Sequence, residues 1–277
     1  MGDVWFQVLT KSARDLETLT AQFRPKVLAE DVVGYEREIT RDGSNAGLRD
    51  SAAMLYLELG NAPRALEHFT ASARLQPTNA AAQFNLGTAL SLNDRLPEAA
   101  DALRQALALR PDYPQAHNNL GSLLLHQGRT EEACTHFREA LRLDPANAEA
   151  HRNLATVHRE SGDIAAAIAE LREAVKARPD WPTAMADLAW LLATTGNDVL
   201  RDPGSAIRLA ERTAELTGRR DGPVLDVLAA AYAAAGDYDR AVTTAEAALA
   251  QSKPGPAADA VRLRLDLYRR GVPFRTK

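Results

Sequence analysis

The sequence predicts an all-α protein, a solenoid of antiparallel helix pairs, and three observations carry that expectation. Alanine dominates long stretches of a 277-residue chain that is 45% hydrophobic and only 5% aromatic, a composition that favours helices and lets them approach closely. Prolines recur at Pro77, Pro111, Pro145 and Pro179, 34 residues apart each time. Each interval holds two helical patterns separated by a short polar or glycine-containing turn, the mark of a stacked repeat.

Residues 1–11 read as an extended N-terminal segment, because Val4 to Leu9 alternate weakly. A strand without a partner is unstable, so this stretch reads as an edge of upstream β structure, a dimer contact or a leader. Residues 12–45 read as N-terminal capping helices. Ser12 caps a helix to Phe23 with Asp15 in the reciprocal place, and Pro25 opens a second helix to about Ile39. Asp3, with no basic segment leading into a long apolar run, argues against a signal peptide, which leaves the cytoplasm as the default compartment. No stretch approaches the 18 or so apolar residues of a membrane span.

The units that follow are 46–79, 80–113, 114–147 and 148–181. Ala65, Ala99, Ala133 and Ala167 share one column, and Phe69, Leu103, Phe137 and Leu171 another. Ala53, Gly87, Gly121 and Ala155 form a third, preceded by Leu86, Leu120 and Leu154 in the last three units. Small residues belong where two helices pack closest, and each proline ends a helix by lacking an amide and clashing with the preceding turn. In the third unit the first helix is expected to end at His126, with Thr130 capping the second. A fifth unit, 182–221, repeats Leu188-Ala189 and the turn glycine at Gly196. Its second-helix alanine, Ala206, comes five residues late, so an insertion lies in 197–204. A sixth, 222–250, holds Leu228-Ala229, Tyr232, Gly236, Ala241 and Ala245. Residues 251–277 form a C-terminal capping helix and tail, the helix running from Ala257 to Arg270 with its arginines as polar cover.

These columns resemble the tetratricopeptide repeat family over roughly 46–250: the Leu-small pair, Tyr56, the turn glycines Gly60, Gly128 and Gly162, the second-helix alanine and the terminal proline. The second turn departs from the pattern, with Asn93-Asp94 where glycine is usual. The resemblance implies a right-handed superhelical array whose first helices line a concave groove. Carried onto this chain, the inward-facing sixth place of each unit holds Asn85, Asn119, Asn153 and Asp187. An amide offers a donor and an acceptor and so matches a peptide bond; the row is similar to the asparagine ladder with which some family members hold an extended peptide. Support of the neighbouring helix is the other reading. Around the row stand Phe84, Asn118, Ser122, His126, Arg152, Thr156, Arg159 and Trp190, with Met54 and Leu57 as an apolar floor under the first unit. Arg152 and Arg159 lie two turns apart on one face and resemble half of the family's carboxylate clamp. Phe84 and Trp190 read as apolar anchors, with a core role open for Trp190.

Other chemistry is sparse. Of the six histidines, His151 and His158 lie seven apart on one helix with no nearby cysteine to complete a zinc set, and His117 and His151, one period apart, occupy a packing place. There is no HExxH, phosphate loop or serine elbow. Cys134 is the one cysteine and reads as a half-buried thiol. A net charge of −4 and a pI near 5.9 argue against a nucleic-acid binder. No catalytic residue, metal or cofactor is implied. The expected function is a protein–protein interaction scaffold that binds an extended peptide or a partner helix in its groove. The alternative is an accessory or self-associating domain of a larger bacterial protein that positions another activity. Recognition of a small molecule or glycan is a third reading.

Overall fold

The computed structural model describes residue 28 and residues 30–276; the expected strand over 4–9 and helix over 12–23 lie outside them. Among the described residues all regular structure is helical, apart from one isolated bridge between Thr195 and Thr276. Helix α1 covers 30–41. The repeats supply α2 (Ala46–Glu58), α3 (Ala62–Leu75), α4 (Ala80–Leu92), α5 (Leu96–Leu109), α6 (Pro114–His126), α7 (Thr130–Leu143), α8 (Ala148–Glu160) and α9 (Ile164–Ala177). They continue as α10 (Pro182–Thr194), α11 (Pro203–Leu216), α12 (Gly222–Ala234) and α13 (Tyr238–Gln251), followed by α14 (Pro256–Arg269). The chain divides into two compact units, the first ending at Leu123 and the second beginning at Leu124, inside α6.

In the first unit α2 pairs with α3 and α4 with α5, and α3 packs against α4. The column alanines make this possible. Ala53, Ala65 and Ala99 are fully buried, and Phe69 and Leu103 fill the space beside them. Gly87 shows why one place must be small: a Cβ there would stand 2.8 Å from the Leu103 side chain and 3.2 Å from the Ala99 carbonyl oxygen. Helix α1 closes the end of this unit. Its Val32 and Ile39 are buried, and Glu36 accepts from the Tyr56 hydroxyl (2.8 Å) and contacts His68 Nε2 (3.1 Å). Burial pushes the Glu36 carboxyl up, but the Tyr56 hydrogen bond and His68 outweigh it and hold it below the usual range. Of the apolar floor, Leu57 packs on the core while Met54 is exposed.

In the second unit the pairs are α8–α9, α10–α11 and α12–α13. Contacts of α7 with α8, α9 with α10, α11 with α12, and α13 with α14 stack them. One continuous core runs from Ala155 to Tyr268, dominated by alanine and leucine. Cys134 is half-buried, as expected.

Caps and joints repeat with two solutions. Asn45, Asn79 and Asn147 cap α2, α4 and α8 by accepting first-turn amides, and Asp221 does so for α12. Ahead of α6 and α10 the place is aromatic. There Pro114 and Pro182 begin the helix, where a missing amide costs nothing. Arginines three residues back cover the rings: Arg110 lies 3.4 Å from the Tyr113 centroid and Arg178 4.6 Å from that of Trp181. At each of three joints the fourth residue of a unit donates to the carbonyl of the preceding proline: Gln83 to Pro77 (3.4 Å), His117 to Pro111 (2.9 Å) and His151 to Pro145 (3.1 Å).

Three local expectations are corrected. Thr130 is the first residue of α7 rather than its cap. Arg129 holds the N-cap place without a side-chain capping bond and forks onto Glu132 at 2.6 and 2.7 Å. Arg95 and Glu98 repeat the arrangement at α5. The acid then serves the positive helix end, since a guanidinium cannot accept from an amide. Gly196 is not a left-handed turn residue. The helix ends there in an extended Thr195 (φ −54°, ψ 135°), and the glycine is needed because a Cβ would meet the Thr276 carbonyl oxygen at 3.0 Å. Gly204 lies within α11, so the inserted loop ends at Asp202, which caps that helix through the Ser205 amide. At the second turn Asp94 takes the left-handed conformation (φ 59°) that glycine takes elsewhere. Asn93 compensates by donating to the Ala62 and Ala89 carbonyls (3.0 and 2.8 Å).

Candidate functional site

In the first unit the candidate residues lie on α4 and α6. Asn85 and Phe84 are half-buried on α4, and the Phe84 ring packs on Tyr113 at 4.8 Å. Asn118 is buried. Its amide donates to the Asn119 carbonyl oxygen (3.3 Å), the Asn119 amide donates to the Thr88 hydroxyl (3.4 Å), and Thr88 donates to the Phe84 carbonyl (3.0 Å). Asn118 thus orients Asn119 from behind. One N–H and one carbonyl lone pair of Asn119 enter this relay; an amide has two of each. A cleft of about 160 Å³ lies alongside, lined by Gly87, Thr88, Ser91, Leu92, Asn119 and Ser122 among others. The small residue that lets α4 meet α5 also leaves this cleft open.

In the second unit His126 and Arg159 are exposed, and Asn153 and Thr156 are half-buried. Arg152 does not present a bare cation: its Nε donates to Asp187 (2.8 Å), and its guanidinium lies 5.6 Å from the Trp181 ring. The two halves of the pair were both expected on the groove, but not joined to one another. The half clamp is therefore reduced to Arg159. Trp190 borders a cleft of about 310 Å³ between α10 and α12, lined also by Pro182, Ala186, Asp187, Val224 and Val227. Its ring packs against Phe274 at 5.8 Å.

Two clusters escape the sequence reading. Asp226 on α12 and Arg264 on α14 form a buried fork (3.0 and 2.5 Å), with the guanidinium 5.2 Å from Trp190 and 5.5 Å from Phe274. Burial pushes the Asp226 carboxyl above its usual range despite Arg264. Asp226 is the fifth residue of its unit, the place that Phe84, Asn118 and Arg152 hold in theirs, so the same register would have found it. Tyr232 donates to Glu211 (2.7 Å) and lies under Arg240, and burial and Glu211 push its hydroxyl up to about 12. At the proline joint, His151 Nε2 faces a carbonyl and Nδ1 faces Glu170 at 2.6 Å. Only the imidazolium donates from both nitrogens, so Glu170 raises the His151 pKa against the effect of burial. Among the described residues no group of three or more His, Cys, Asp or Glu is placed to hold a metal ion, and no helix is long and apolar enough to cross a membrane.

Helix pairs in repeat, with polar side chains on the first helices, define a class of protein-interaction scaffolds. Tetratricopeptide repeat models match residues 51–114, 93–148, 124–191 and 224–257. The chain belongs to the tetratricopeptide repeat family, and its function is protein–protein interaction. No curated protein matches it. Among solved structures it is similar to PilF of Pseudomonas aeruginosa, at 20% identity over 81% of this chain and 99% of that one, with a TM-score of 0.67. It is similar also to PilW, a type IV pilus biogenesis factor, at 20% identity over 78% of this chain and 98% of that one, TM-score 0.64. The Cut9–Hcn1 hetero-tetramer of APC/C matches at 18% identity, covering 90% of this chain and 48% of that one, TM-score 0.72. At these identities the likeness is one of fold.

Proposed function

We propose that the first-helix faces take an extended peptide, with Asn85 and Asn119 in the first unit and Asn153 in the second meeting its main chain. The observation that supports this most is the relay from Asn118 through Asn119 to Thr88. It fixes an amide at the edge of an open cleft before any ligand arrives, and pre-organisation lowers the ordering cost of binding. Ser122 and Thr156 add hydroxyls to the same faces. Phe84 offers a ring to an apolar side chain, and Arg159 offers a cation to an acidic one or to a terminal carboxylate. His126, Asp187 and Trp190 complete the set.

The test is selection from a random peptide display library, comparing the wild-type chain with the triple variant Asn85→Ala, Asn119→Ala, Asn153→Ala. We expect peptides enriched by the wild type to bind the variant at least about tenfold more weakly, with helix content unchanged by circular dichroism. Equal enrichment on both, or none on the wild type, overturns the assignment.

A further inference from the structure

The described chain ends in a strap. After α14, Gly271 reverses direction in the left-handed conformation (φ 68°), and its amide and that of Val272 close the helix on the Tyr268 and Leu267 carbonyls. Residues 272–276 then run without regular structure back to the end of α10, some 80 residues earlier in sequence. The contacts are those of a bound peptide. The Thr276 amide donates to the Thr194 carbonyl (2.8 Å), as does its hydroxyl (3.1 Å), and the Arg275 guanidinium donates to the Ala193 carbonyl (2.9 Å). Thr195 and Thr276 form a parallel bridge. The Phe274 ring packs against both Trp190 (5.8 Å) and the Arg264 guanidinium (5.5 Å), which also touch one another (5.2 Å). Gly196 keeps the seat open, since any Cβ there would press on the Thr276 carbonyl.

The strap is held lightly. Val272 is exposed and the next four residues are only half-buried. Its main-chain hydrogen bonds and one ring stand against the ordering of five residues, terms of similar size and opposite sign. Lost hydration, and then Arg201, pull the Arg275 pKa down, with Asp198 and Tyr238 acting in the opposite sense. A cleft of about 370 Å³ lies beside Thr276, bordered by Gly162, Asp163, Ile164, Thr195 and Asn197.

We propose that residues 272–276 are a built-in ligand, and that when they lift, the same seat receives an extended segment of a partner protein carrying an aromatic residue followed by a basic one. The aromatic side chain packs against the Trp190–Arg264 pair, and the main chain two residues on pairs with the Thr194 carbonyl. The cleft beside Thr276 accepts the residues that follow. This deepens the peptide-binding reading of the first helices and rests on it for α10. It names the partner's sequence class and adds a competitor in cis, whose effective concentration reaches the millimolar range.

The probe is a fluorescein-labelled peptide with the sequence Gly-Val-Pro-Phe-Arg-Thr-Lys, titrated by anisotropy to about 1 mM protein. The full chain is compared with its Phe274→Ala variant and with a chain ending at Arg270. We expect both altered chains to bind at least roughly tenfold more tightly than the wild type, and a peptide with alanine for phenylalanine to bind none of them. Equal affinity for all three chains, or no binding to either altered chain, overturns the proposal. If the shortened chain loses helix content, the Phe274→Ala chain decides. The asparagine row takes no part in this assay, so failure here is distinguishable from failure of the asparagine test.

Discussion

On α4 and α6 the exposed face carries uncharged amides and hydroxyls, ordered by a relay and bordering a small open cleft. On α10, α12 and α14 it carries an indole, a guanidinium and a buried carboxylate, and the chain's own tail lies across it. Behind both faces the skeleton is the same, with alanine buried at the second-helix place in Ala99 and Ala206 alike. What differs is the side chains of the first helices, joined in the second unit by Arg264 of α14 and by the tail. A single repeat skeleton therefore presents two unlike surfaces, one suited to main-chain groups and the other to an aromatic–cation match.

The contrast breaks most sharply at Arg264. Arg264→Leu leaves Asp226 buried without its partner, and we expect the second unit to lose about 3–5 kcal/mol in urea denaturation. Thr88→Val, which cuts the relay of the first unit, is expected to cost only about 1 kcal/mol. Equal costs would mean that the buried pair is no more than a surface bridge. Next in size is Gly87→Val, which drives a side chain into Leu103 and the Ala99 carbonyl. About 1–3 kcal/mol should be lost from the first unit, read as a lowered thermal midpoint, while hydrogen exchange in α12–α14 stays unchanged.

The smallest effect is one of pH. The folded His151 pKa lies above its ordinary 6.5, so its contribution is complete below pH 6.5 and is lost as pH rises through the folded value. We expect the second unit to lose on the order of 1 kcal/mol or less over that rise. Glu170→Gln should flatten the profile; an unaltered profile would assign the dependence to another group.

The sequence shows most of the skeleton and less of the site. Pro77 to Pro179, the column alanines and the late Ala206 all reflect a backbone that must repeat, so their spacing reports structure directly. Asp94 was legible as a departure because only a few residue types tolerate a left-handed backbone. Pairing across repeats was not. Arg152 and Asp187 are 35 residues apart, one more than the period, and their rotamers decide whether they meet one another or a ligand. The partnership of Trp190 with Phe274 depends on a tail outside the repeat altogether. Gly196 misled for the same reason: a glycine in the turn column can serve a backbone turn or make room for a distant strand, and spacing does not distinguish the two. Thr130 was a plausible cap by residue type, but the helix began one residue earlier.

The bond from the fourth residue of a unit to the proline carbonyl six residues before it has a consequence for ancestry. Donor and acceptor both belong to one short stretch, Pro77–Gln83, Pro111–His117 or Pro145–His151, so this bond of the junction is closed locally, although Gln105 and Glu170 add longer-range contacts to the first and third. A crossover between copies in the same register regenerates a closed junction wherever it falls, whereas an out-of-frame exchange strands a carbonyl at the seam. Across these three joints, then, gain or loss of a copy in whole 34-residue steps would keep the bond, whereas the joint into α10, with Met185 at the fourth place, has no donor to lose.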